Sequence, residues 1–188
     1  MSVLVPSAQI NYSQLTAIRA SLRDALQKKA GKVIGQSMVI RDITAADISG
    51  VAAGNAGFAR LKNKNALTAQ TWLTNDWGFR QVPANTAVGV YGYVQIASIP
   101  LIDYIAFTLG ASIPLAQFNL DPLYADQSSS IGYFDPPVVW GPLQSIGINL
   151  LAESAVSAGA EQYNLIGYVA EPAGTTVMQD PNSWPGLV

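Results

Sequence analysis

The chain has 188 residues, a formal net charge of −2, no Cys, no His, and 12% charged against 49% apolar side chains. So much apolar content excludes disorder, and the missing Cys and His exclude a disulfide framework, a zinc finger and any His-based mechanism. So few charges suit a lone soluble subunit poorly, so other subunits are expected to cover part of the surface. The charges are also segregated: residues 1–80 carry ten basic and four acidic groups (net +6), residues 81–188 none and eight (net −8).

Met1–Ile10 has neither the charged leader nor the apolar run of a signal peptide. Asn11-Tyr12-Ser13 matches the glycosylation pattern by chance alone. Ser13 is placed to cap a helix whose stripe is Leu15, Ile18, Leu22 and Leu26, spaced by three and four. Lys28 and Lys29 suit the negative end of its dipole, and Gly31 is placed to stop it. Val33–Ile40 then reads as a strand, Thr44–Asp47 has the capping-box form of a short helical turn, and Ser49–Gly57 is a Gly/Ala-rich crossing.

From Leu67 onward the chain reads as all-β. Leu67–Thr74, Ala87–Ala97, Leu101–Leu109, Val138–Trp140, Ser145–Ala152, Tyr163–Ala170 and Thr175–Met178 are short β-branched or aromatic runs bounded by Pro, Gly, Asn and Asp. Ile146, Ile148 and Leu150 alternate with Gly147 and Asn149; Leu101, Ile105, Phe107 and Leu109 form a second face, interrupted by Asp103. The apolar stretch Val88–Ile102 approaches the length of a membrane span, but Gly89, Gly92, Pro100 and Asp103 favour two buried strands. Ile113–Pro137 reads as a long irregular excursion, and residues 179–188, with Pro181 and Pro185, as an extended arm. Residues 1–65 are thus an N-terminal arm, an amphipathic helix and a first strand. Residues 66–178 are a sandwich core forming one domain with that strand, and 179–188 a C-terminal arm. Many short strands between turn signals predict a sandwich or barrel.

No constellation points to catalysis or a cofactor. Asp121, Asp135 and Asp180 each precede Pro and read as turn caps, and no spacing forces two carboxylates across a cleft. Oxygen ligands for calcium exist at Asp121 and Asp126, without EF-hand regularity. Gly31-Lys32 and Gly54–Gly57 match no phosphate-binding loop. Trp72, Trp77, Trp140 and Trp184 read as packing groups rather than a sugar platform.

Arg19, Arg23, Lys28, Lys29 and Lys32 form one basic group; Arg60, Lys62 and Lys64 form another. Beside a solvated helix face, they could meet anionic lipid, nucleic acid or the acidic half of a neighbouring subunit. A sequence pI near 4.9 and the lack of aromatics in Arg60–Lys64 argue against nucleic acid. The first five are the candidate contact to an acidic neighbour or lipid head groups. Tyr124, Tyr133 and Phe134 are the candidate loop contacts should the chain instead be a carbohydrate- or receptor-binding sandwich, such as a phage or cell-surface adhesin. From Leu67 onward no Lys blunts a strand edge, so edges are either covered by Pro and loops or meet other chains.

Residues 118–124 (FNLDPLY), 132–138 (GYFDPPV), 146–148 (IGI) and 165–174 (LIGYVAEPAG) give Leu101–Val177 a family resemblance. The segment resembles the final strands of the small single-jelly-roll major capsid proteins of tailless icosahedral viruses that enclose a membrane. The resemblance implies a mainly β fold, a single jelly-roll β-sandwich, here with an N-terminal α-helix. It also implies a non-enzymatic structural role in the virion, with other capsid subunits as partners, in a homo- or hetero-oligomer. A viral membrane surface is the further expected contact; sequence-specific nucleic acid is not. No catalytic, metal or cofactor residues carry over.

Overall fold

A computed structural model describes residues 2–31, 35–44, 47–48, 61–63, 65–73, 80–96, 101–125 and 130–174. They form two antiparallel sheets packed face to face, with one long helix on the outer face of the first. The strands are β1 (Val3–Pro6), β2 (Met38–Asp42), β3 (Leu61–Lys62), β4 (Trp72–Leu73), β5 (Arg80–Gln81), β6 (Ala87–Gln95), β7 (Ile102–Leu109), β8 (Ile113–Asn119), β9 (Ile131–Trp140), β10 (Ser145–Ala152) and β11 (Gln162–Pro172). The helices are α1 (Tyr12–Lys29) and α2 (Asp121–Ala125). One sheet has the order β1-β9-β6-β11-β2, with β3 also on β11; the other has the order β4-β10-β7-β8, with β5 also on β10.

Alternation along the strands divides their side chains between two layers. Ile146, Ile148 and Leu150 of β10 and Ile105 and Phe107 of β7 turn into the space between the sheets. There they meet Val88 and Val90 of β6, Phe134, Val138 and Trp140 of β9, and Val169 of β11. Phe107 sits edge-on to Phe118, Phe134 and Trp140, with ring centroids 5.3–6.0 Å apart. That geometry suits the aromatic quadrupole. The Trp140 indole donates to the Thr108 carbonyl at 2.9 Å, so its polar atom is satisfied inside the core.

The outer layer lies between α1 and the first sheet. Ile18, Leu22 and Leu26 are buried against Ala87, Tyr91, Tyr168 and Ala170, with Leu15 half-buried beside them. The stripe expected from spacing is therefore the one that packs. The helix sits close because β6 has Gly89 beneath it: an added Cβ would overlap Leu22 Cδ1. Gly167 on β11 is held as tightly, since a Cβ there would overlap the Gly89 carbonyl. A bulge in β6 leaves Tyr91 without a register partner and returns Tyr93 to the inner core.

Several expectations are corrected. The α1 cap is Asn11, not Ser13: Asn11 Oδ1 accepts from Gln14 N at 2.9 Å, and Gln14 Oε1 from Asn11 N at 3.0 Å. This reciprocal pair satisfies two helix-end donors at once, and Ser13 falls inside the first turn. The helix ends at an extended Ala30, and Gly31 passes against Asn85 rather than forming a left-handed stop. The N-terminal segment is no free arm, because β1 pairs with β9 from Val3↔Asp135 to Pro6↔Gly132. The excursion 113–137 is largely regular, holding β8, α2 and the first seven residues of β9.

Proline disguised those strands. Pro114 sits on the free edge of the second sheet, and Pro136-Pro137 sit where the β6–β9 register breaks, two places that tolerate a missing N–H. The strand expected at Val33–Ile40 is β2, Met38–Asp42, with residues 33 and 34 outside the described residues; within Leu67–Thr74 the described residues hold an isolated bridge at Leu67 plus β4. The apolar stretch becomes β6 and the start of β7. Among the described residues no helix is long and apolar enough to cross a membrane. Ser49–Gly57, Thr175–Met178 and the 179–188 arm lie outside the described residues.

Candidate functional site

Tyr133 of β9, Tyr91 of β6 and Tyr168 of β11 lie side by side on the outer face of the first sheet. The Tyr133 and Tyr91 centroids are 6.1 Å apart with planes 7° from parallel; those of Tyr91 and Tyr168 are 5.4 Å apart at 29°. Alternation puts all three on this face, Tyr91 in step with Ala87 and Gly89, and β6 lies between β9 and β11. Helix α1 roofs this row with cations. The Arg19 guanidinium carbon stands 5.6 Å from the Tyr91 centroid and that of Arg23 stands 4.9 Å from the Tyr168 centroid. Arg19 Nε also donates to Tyr91 Oη at 3.1 Å. Burial and the Tyr168 hydroxyl push the Tyr91 phenol up to about 12, against the pull of Arg19, so it stays neutral. Burial is the largest influence and would lower Arg19, but its bond to Tyr91 and the charge interactions with Tyr91, Tyr168 and Tyr133 together outweigh it and hold it above its ordinary value.

The five basic residues expected to act together therefore separate. Arg19 and Arg23 are one helical turn apart, exposed, and in no ion pair among the described residues. Lys28 binds Asp24 at 2.6 Å, an exposed pair of small energetic weight. Lys29 Nζ donates to the Val139 carbonyl at 3.1 Å, tying the end of α1 to β9. Lys32 lies outside the described residues, as do Arg60 and Lys64.

The three loop aromatics are not a loop platform. Phe134 is 0% exposed, in the core between the sheets. Tyr133 is half-buried in the tyrosine row. Tyr124, in α2, donates to the Ile102 carbonyl at 2.8 Å, and burial raises its phenol pKa. Their segment is strand and short helix, which turns Phe134 into the core, lays Tyr133 under α1 and leaves Tyr124 half-buried.

Two buried polar groups were missed from the sequence. Arg41 of β2 bridges Asp47 and Glu171: Nη1 and Nη2 donate to Asp47 at 2.8 and 2.9 Å, and Nε to Glu171 Oε1 at 2.9 Å. Burial would lower Arg41, but the two carboxylates outweigh it and hold it well above its ordinary value. Asp47, 0% exposed, also accepts from Thr44 N and Oγ1. The Thr-x-x-Asp signal was legible; its use as one arm of a buried ion triad was not. The second group is Glu161, which accepts from Gln95 Nε2 at 3.0 Å and Leu101 N at 2.8 Å. Tyr93 in turn donates to Gln95 Oε1. Desolvation raises Glu161 despite these bonds, and desolvation plus Asp121 and Glu153 raises Asp103.

Asp47 and Glu171 are spent on Arg41, and Glu161 is buried in accepted bonds, so these three carboxylates serve as structural acceptors. The turn at Asp121 is made by Asn119, whose Oδ1 accepts from Asp121 N at 2.8 Å. Among the described residues no three acidic groups are placed to hold a metal; Asp126 lies outside them.

The surface offers one further feature, on the β1/β8 side. Two grooves, of about 310 and 150 Å³, share Pro136 and Pro137. The larger runs beside α1 past Val5, Ile10 and Ala17; the smaller passes Ser2 and Leu115. Val3, Ile113 and Leu115 are exposed on these strands, and among the described residues Asp135 is the one charged residue lining either groove. The edges here are blunted without charge: β1 is short and ends in Pro6, and β8 carries Pro114 and a bulge at Leu115. No protein-family model, curated protein or solved structure matches the chain.

Proposed function

We propose that this chain is a structural shell subunit, a single jelly roll that assembles with further copies or related chains into a closed virion capsid. The observation that carries the reading is strand order. With β1 and β3 set aside as additions, the sheets read β2-β11-β6-β9 and β4/β5-β10-β7-β8. Such an order follows from folding an eight-strand chain into two Greek keys, the jelly roll used by capsid and lectin domains. Fold alone does not choose a role. The shell role, structural rather than catalytic, is favoured by the apolar β1/β8 flank and by the scarcity of charge. The carbohydrate- or receptor-binding alternative retains only Tyr124 and Tyr133, both half-buried, of its three aromatics.

In this reading subunits meet through the flank at Val3, Leu115 and Pro136 rather than by pairing strand edges, which proline and bulges blunt. The basic face of α1 meets acidic neighbours or lipid head groups, with Arg19 and Arg23 as its unpaired members. The test is mass by light scattering across concentration and salt. Discrete oligomers that persist in high salt are expected, because apolar contacts are not screened, and Leu115→Glu should return them to monomers. A persistent monomer at high concentration overturns the reading.

A further inference from the structure

Lys28 is paired with Asp24 and Lys29 is tied to the Val139 carbonyl, whereas Arg19 and Arg23 are held over aromatic rings with no carboxylate partner among the described residues. Each guanidinium is fixed over a buried tyrosine ring, and Arg19 is further oriented by its bond to Tyr91 Oη. The nearest carboxylates by sequence and register are Asp24 and Asp42. Asp24 is taken by Lys28 at 2.6 Å, and Asp42, exposed opposite Tyr168 in the β2–β11 register, forms no ion pair with either arginine.

We infer that Arg19 and Arg23 form a binding site for a phosphate group. The two side chains leave the same helix four residues apart, about 6 Å along its axis. A carboxylate has two oxygens in one plane, which one guanidinium fork matches face to face. A phosphate has more oxygens, spread in three dimensions, and can take a fork from each arginine. Stacking on tyrosine leaves the outward N–H groups free to donate and reduces the side-chain freedom lost on binding. The neutral Tyr91 phenol does not quench the charge above it. The inference deepens the basic contact proposed above but does not need a shell, so failure of assembly and failure of phosphate binding are separate results.

The test uses the full chain with two probes. Inorganic phosphate is titrated at constant ionic strength while the arginine Nε–H signals are followed by NMR. Flotation then compares phosphatidylcholine vesicles with and without phosphatidylglycerol. Saturable shifts of Arg19 and Arg23, or retention only by the anionic vesicles, are expected. Response to both probes, or to vesicles alone, identifies a lipid head group as a source; response to inorganic phosphate alone identifies a soluble phosphate. The R19Q/R23Q pair should weaken either response about tenfold or more. R19K/R23K, which keeps charge and helix propensity, should weaken it several-fold because the fork and stack are gone. Circular dichroism checks that both fold. Failure of both probes, a response indifferent to R19Q/R23Q, or undiminished binding by R19K/R23K overturns the assignment.

Discussion

The two hydrophobic layers of this protein solve the same packing problem with different residues. Between the sheets lie Phe107, Phe118, Phe134 and Trp140, enclosed on both sides. Between α1 and the first sheet lie leucines, small residues and tyrosines, with arginines at the rim. A layer covered by a whole sheet has no solvent margin and can be filled with rings. A layer covered by one helix has two long margins, where tyrosine keeps its ring buried and its hydroxyl satisfied, and arginine lays a cationic end over it.

The largest effects should come from the inner layer. Trp140→Ala removes a fully buried indole that three strands depend on, and about 3–5 kcal/mol should be lost in denaturant melts. Leu22→Ala opens a smaller hole under the helix, at about 2–4 kcal/mol. It should leave the near-ultraviolet signal of the native core intact, and loss of that signal in the folded variant would mean that packing between the sheets depends on the helix layer. Gly89→Ala forces the new Cβ against Leu22 and should cost about 1–3 kcal/mol. Combined with Leu22→Ala, its cost should shrink, and a purely additive pair would show that the close approach is not what selects glycine. Tyr91→Phe keeps the ring and removes the bond to Arg19, for about 0.5–1.5 kcal/mol.

The smallest expected effect separates buried acids from surface ones. Glu161 and Asp103 have raised proton affinities in the folded state, so the folded chain binds protons more tightly than the unfolded chain. Their contribution to stability therefore grows as pH falls from 7 into the ordinary carboxylate range and is lost as pH rises back through their folded pKa values. Glu161→Gln should flatten that rise in a melting-temperature profile taken from neutral pH toward the ordinary carboxylate range. An unchanged slope would assign it to other groups.

Legibility followed the distance over which each decision is made. Strand β10 was read to the residue from Ile146, Ile148 and Leu150, and the α1 stripe from Leu15, Ile18, Leu22 and Leu26, because alternation and 3.6-residue periodicity are local consequences of backbone geometry. Strand β8 and the first seven residues of β9 were hidden by Pro114, Pro136 and Pro137, since proline excludes an interior ladder position but not an edge or a bulge, and only pairing decides which a position is. The cap went to Asn11 over Ser13 by the reciprocal bond with Gln14, a choice between two acceptable local signals. The basic group was visible as charge, but its division was not. Arg19 and Arg23 are set apart by Tyr91 and Tyr168, 72 and 145 residues further along the chain.

By itself, then, the sequence determined a mainly β chain with an amphipathic helix in front, few charges, and a basic first part set against an acidic remainder. Periodicity and composition are written residue by residue. Only the tertiary structure decided which side chains meet: that tyrosines of three strands form a row, that two of four described basic residues on α1 lie over it unneutralised, and that Arg41, Asp47 and Glu171 share one buried bridge. Those partners are brought together by strand pairing over long separations, and no local pattern encodes a register.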